Sequence, residues 1–181
     1  MSLSDSLSPG PELNQGWGRG MDGLYLACIW AAGMAIFFMS LIVPMGVVMR
    51  YGFGFGAQWP EPIAILLMLV FTFIGAAAAY RAGGHIAVSM VTDRLAPGLA
   101  QALEWLVHGL MLLVCAFTAW YGARLCLETM GQSISELPWM PVGVTYLPIP
   151  LGALVTLIFV LERMIFGSQT QRAVVRLGDS A

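Results

Sequence analysis

Few side chains in this 181-residue sequence are placed where they could do chemistry. His85 and His108 fall near the same ends of two neighbouring apolar stretches, so two imidazoles could face one haem iron. His85, however, follows the break at Gly83 and Gly84, His108 stands barely one turn into its stretch, and no further ligand pair accompanies them. A hydrogen bond from His108 between helices is the plainer reading, and no haem or other cofactor is expected. Glu61 lies between Pro60 and Pro62, where a proline suits a first helical turn and a carboxylate favours the positive end of the helix dipole. It could instead pair with a partner subunit, or couple protons in a small homo-oligomeric exporter.

Other catalytic patterns are missing. Paired carboxylates, H-E-x-x-H and G-x-S-x-G do not occur, so hydrolase and metalloenzyme chemistry has no residues to use and no enzyme is expected. A G-x-G-x-x-G match at Gly18, Gly20 and Gly23 has no strand before it and an apolar span after it, which removes the nucleotide reading. Cys28, Cys115 and Cys126 form no C-x-x-C pair, and the 12 methionines stand singly on apolar stretches; both sets read as packing residues. With eight arginines, no lysine and a net charge of −2, the chain offers no basic stripe to nucleic acid.

The elements that must position these residues follow from the distribution of charge. Only 10% of the residues are charged, 59% are apolar or aromatic, and the mean hydropathy is +0.80. Soluble domains carry roughly 25% charged residues, so lipid is the principal solvent here. Residues 23–49, 62–80, 105–123 and 137–161 contain no charge at all. A 19-residue helix is about 28 Å long, close to the hydrocarbon thickness of a bilayer. Runs such as Ile63 to Phe73 are apolar on every face, which excludes alternating barrel strands. The expected fold class is therefore all-α integral membrane, with four transmembrane helices over those four blocks.

Residues 1–22, rich in Ser, Gly and Pro, read as a disordered cytoplasmic tail without the features of a secretory signal, and residues 167–181 as a second cytoplasmic tail. Residues 23–166 form the membrane domain. Gly75 opens a run of small residues to Ala79 that permits close helix contact. Val88, Val91 and Leu95 recur at helical spacing beside Asp93 and Arg94, which predicts a short interfacial helix over 86–95 in the loop between spans 2 and 3. Six arginines lie on the tails and that loop, against Arg50 and Arg124 on the other two loops, so both termini are expected in the cytoplasm. Trp105, Trp120, Tyr121, Trp139 and Tyr146 fall near span ends, as interfacial anchors do.

The central segment carries a more specific pattern: RYGFGFGAQWPEPIA at 50–64, then FIGAAAAYRAGGHIAVS at 73–89. It resembles the small permease subunit, the DctQ type, of tripartite ATP-independent periplasmic (TRAP) transporters, through Trp59, Glu61, Gly75, Arg81, Gly84, His85, Ile86 and Val88. Pro138-Trp139, Tyr146, Ile149 to Gly152 and Glu162-Arg163 extend the likeness, which runs from about residue 20 to 165. Pro62 stands where a second acidic residue is common and Ser89 where an Asp is usual, so roles of those carboxylates do not carry over.

The resemblance implies one part of a secondary transporter for organic acids in the bacterial inner membrane. A large permease subunit would hold the substrate and sodium sites, and a periplasmic binding protein would capture the substrate. Trp59, Glu61, Gly75, Arg81, Gly84 and His85 would then serve a subunit interface or a structural motif. Arg81, Gly84 and His85 would shape the cytoplasmic turn, with Arg81 gripping a partner or snorkelling to lipid phosphates.

Overall fold

The computed structural model describes residues 15–54, 56, 58–83 and 97–166. Helix α1 spans Gln15–Tyr51, α2 Pro60–Arg81 and α3 Pro97–Thr129. A two-stranded hairpin follows, β1 (Ser133–Ile134) and β2 (Leu137–Pro141), then a short helix α4 (Val142–Tyr146) and α5 (Pro148–Phe166). Among the described residues, four helical stretches are long and apolar enough to cross a membrane: Gly18–Tyr51, Pro60–Arg81, Trp105–Thr129 and Val142–Ile165, the last combining α4 and α5. The fold is all-α and membrane-spanning, as the four charge-free blocks dictate.

The helices stand in a row rather than a closed ring. Helix α1 packs on α2, α2 on α5, and α5 on α3, so the two ends of the row are the first and third spans. Small residues set the approach at each contact. A methyl group at Gly75 would stand 3.6 Å from the Ala32 Cβ of α1, one at Gly152 only 2.6 Å from the Phe73 Cβ of α2, and one at Gly122 3.1 Å from the Ile149 side chain of α5. Apolar side chains elsewhere look outward, Trp30, Phe37, Leu113, Phe117 and Trp120 among them, as lipid or a partner helix requires. Several hydroxyls on the long helices bond their own backbone: Ser40 donates to the Ile36 carbonyl, Thr129 to that of Leu125 and Thr156 to that of Gly152.

Several boundaries differ from the sequence expectation: the third helix runs over Pro97–Thr129, beyond the charge-free block 105–123 at both ends, and two other segments change assignment. Residues 15–22, assigned there to the disordered tail, form the first turns of α1. Met21 is buried and Asp22 bonds Arg81 across the bundle, so tertiary contacts hold a segment whose glycines alone would not form a helix. Residues 137–141, assigned to the last span, form β2 instead. Pro138 and Pro141 cannot donate helical hydrogen bonds, and Ile134 pairs antiparallel with Leu137 while the Val142 amide donates to the Gln132 carbonyl. The 86–95 helix, Gly84, His85 and the residues beyond 166 lie outside the described residues.

Candidate functional site

The ionisable groups of the bundle divide between its two ends. About 20 residues separate Glu61 from Arg81 along α2, roughly 30 Å of helix, so the two mark opposite borders of a hydrocarbon layer. Asp22, Arg81 and Glu162 meet at one border, near the start of α1 and the ends of α2 and α5. Glu61 and the hairpin occupy the other.

At the Arg81 end the guanidinium is bound by two carboxylates. Nε donates to Glu162 Oε2 at 3.0 Å and Nη2 to Glu162 Oε1 at 3.1 Å, a two-point grip; Nη2 also donates to Asp22 Oδ1 at 2.8 Å. Arg81 is 5% exposed and Glu162 3%, whereas the Asp22 side chain keeps 21% of its surface open. The Tyr25 and Phe159 rings flank the cation, each centroid 5.4 Å from the guanidinium carbon. Nη1 is buried and has no partner among the described residues. Met21, Tyr25, Cys28, Ala77, Ala78, Tyr80, Phe159 and Val160 form the apolar cluster around this group. Beside it, Arg163 lies 5.8 Å over the Tyr80 ring.

Thus the Arg81 side chain turns inward and joins three helices of its own chain, where the sequence reading had it snorkelling to phosphates or gripping a partner. Its long side chain spans from α2 to both α1 and α5, and two carboxylates with two rings outcompete water at that point. Sequence reasoning missed Asp22 and Glu162 as its partners. One signal was available: each is a lone acid bordering an apolar block, on helix ends that the arginine count put on the same side as Arg81.

At the opposite end Trp59 occupies the position before α2, half-buried, with Pro60 inside the first turn. Glu61, one residue on, is exposed and borders two cavities. The larger, about 590 Å³, runs between α1 and α2 from Met39 and Met68 up to Arg50, Tyr51 and Gln58. The smaller, about 270 Å³, lies between the start of α2, the hairpin and α4, and carries Glu136 and Thr145 beside Glu61. Gly75 belongs to neither end; it lies within α2 against Ala32. The structure therefore brings none of Trp59, Gly75 and Arg81 to one place. His108 sits partly buried in the early turns of the third span. Among the described residues no three of His, Cys, Asp and Glu are grouped to hold a metal ion.

Comparison with known proteins assigns this architecture. Residues 39–170 match the family described as tripartite ATP-independent periplasmic transporters, DctQ component. A TRAP transporter small permease protein named in Haemophilus influenzae is 26% identical over 127 residues, which cover 70% of this chain and 78% of the relative. The ectoine TRAP transporter small permease protein TeaB of Halomonas elongata is 28% identical over 132 residues, 72% of this chain and 67% of the relative. The matched stretch runs from the middle of α1 past the end of α5 and includes both Arg81 and Glu162, so the chain belongs to the DctQ family of TRAP transporter small permease components.

Proposed function

We propose that this chain is the supporting membrane subunit of a sodium-coupled importer of organic acids, held against a large permease subunit and served by a periplasmic substrate-binding protein. The observation that carries this reading is the family match across residues 39–170. The placement of charge agrees with it. A carrier that moves ions itself needs ionisable groups along a path through the bilayer. Here the buried ionic group, Arg81 with Asp22 and Glu162, is internally paired at one border of the bundle rather than strung along such a path.

The Arg81 end faces the cytoplasm in this reading, supported by the excess of arginine on that side. Glu61 and the hairpin then face the periplasm. Trp59 and Glu61, with the open apolar flanks of α1 and α3, supply contact with the large subunit and lipid. Gly84 and His85 shape the turn after Arg81.

Co-expression with a large TRAP permease subunit tests the proposal. A stable complex should co-purify, and in proteoliposomes it should take up an organic acid only with sodium and the binding protein present. Uptake by this chain alone would overturn the reading, as would a haem absorption band in the purified chain that His108→Ala abolishes.

A further inference from the structure

The smaller cavity at the Glu61 end has a composition unlike the rest of the surface. Glu61 and Pro62 open it from α2, Ile134 and Glu136 border it from the hairpin, and Val142, Thr145 and Tyr146 border it from α4. Both carboxylates are exposed, and neither forms an ion pair among the described residues. Thr145 differs: the residue is 6% exposed and its hydroxyl, fully buried, has no hydrogen-bond partner among the described residues. A buried hydroxyl left unsatisfied is costly, and Thr129 and Thr156 in the long helices avoid that cost by bonding the preceding turn. Two acids and an unused hydroxyl around one cavity call for a ligand with several donors and positive charge.

We propose that this cavity receives an arginine side chain of a water-soluble partner protein docking on the Glu61 end; the inference rests on the function proposed above, where that partner is the substrate-binding component. A guanidinium presents five donors in a plane, enough for both carboxylates and the Thr145 hydroxyl together. Its aliphatic stem and flat face suit the Ile65, Ile134, Val142 and Tyr146 surfaces that line the same space. A bare metal ion fits less well. Calcium asks for six to eight oxygen ligands, and the described residues around these acids hold no third carboxylate, cysteine or histidine.

The direction of approach follows from Glu136. It lies in the turn between β1 and β2, outside the helices, beside exposed Ser133 and Ser135. Two carboxylates turned toward lipid would be expensive to keep charged, so the mouth of the cavity opens to water and its ligand arrives from water. Negative charge at such a mouth also speeds encounter with a basic surface and makes the association sensitive to salt.

The test uses the intact complex of this chain with its large permease in nanodiscs, and the purified binding protein as the probe. E61Q/E136Q keeps shape and removes both charges. It should weaken binding-protein association at least tenfold, flatten its dependence on potassium chloride, and raise the binding-protein concentration for half-maximal uptake while the maximal rate holds. T145V should weaken association severalfold. Glu128, already paired with Arg124 outside the cavity, is the control, and E128Q should leave the affinity unchanged. Unaltered affinity and salt dependence in E61Q/E136Q would overturn the proposal, and so would an equal loss in E128Q, which would assign the effect to the general field of this face. Failure of the wild-type chain to co-purify with a large permease would instead overturn the parent reading, before any variant is compared.

Discussion

The two ends of this bundle use ionisable residues in opposite ways. At the Arg81 end one cation and two carboxylates are drawn inward, bonded to each other and walled by Tyr25 and Phe159. At the Glu61 end the acids stay on the surface and border open space. Burial of charge is costly, and a buried pair is stabilising only relative to the state in which one partner is missing. The closed end thus fixes which helices converge there, because any arrangement that separates them leaves an unpaired charge in apolar surroundings. The open end bears no such constraint on folding and keeps its charges available to other molecules.

The strongest way to break that contrast is to remove one member of the closed group. Arg81→Met leaves Glu162 buried without its cation and should cost about 3–5 kcal/mol, read as a lowered unfolding temperature in nanodiscs and as maleimide labelling of the now accessible Cys28. Arg81→Lys should recover only part of this, since an ammonium cannot reproduce the two-point grip on Glu162. Replacing all three charges together, Asp22→Asn with Arg81→Met and Glu162→Met, should restore most of the stability, because no unpaired charge is left behind. A cost for Arg81→Met alone below about 1 kcal/mol would mean that the three helices converge without the ionic group.

A second test asks how much of the convergence belongs to helix packing instead. Gly152 lies so close to α2 that a Cβ would stand 2.6 Å from the Phe73 Cβ and 2.8 Å from its backbone carbonyl. Backbone cannot yield as a flexible side chain does, so Gly152→Ala should destabilise by about 1–3 kcal/mol. Gly75→Ala is the counterpart on the other side of α2. Its new methyl would meet Ala32 at 3.6 Å, an ordinary contact, and alanine is the better helix former by about 1 kcal/mol. That variant should be neutral or more stable, so the two glycines, alike in sequence, separate by the sign of their effect on the unfolding temperature.

What the sequence makes legible is the solvent, and the limits of its legibility have a physical cause. Four uncharged blocks of bilayer length suffice to name the helices and put Asp22, Arg81 and Glu162 on the same border. They do not say that these three touch, because the contacts cross 59 and 81 residues of chain. For the same reason residues 15–22 read as a loop: Gly16, Gly18, Gly20 and Gly23 disfavour a helix locally, and the opposing contributions, Met21 burial and the Asp22 ion pair, are supplied by other helices. Residues 137–141 mislead in the other direction. Absence of charge marks lipid only where the backbone can satisfy itself, and Pro138 and Pro141 prevent that within a helix. Thr145 gives no sign at all in the sequence, since a lone threonine in an apolar run normally bonds its own preceding turn.

The smallest expected effect belongs to the open end, and it sharpens the comparison by what it leaves intact. Arg124 and Glu128 form an ion pair at 3.4 Å with both side chains more than half exposed, one turn apart on α3. Water screens such a pair, and holding two long side chains in register costs entropy, so Glu128→Gln should shift stability by no more than about 0.5 kcal/mol. Glu61→Gln removes a charge from the first turn of α2 and should cost about 0.3–1 kcal/mol through the helix dipole. Both variants should unfold within a few degrees of the parent in the same nanodiscs that separate Arg81→Met from it. If Glu61→Gln instead matched Arg81→Met, Glu61 would be holding the fold together, and its carboxylate could not be counted as free for a partner.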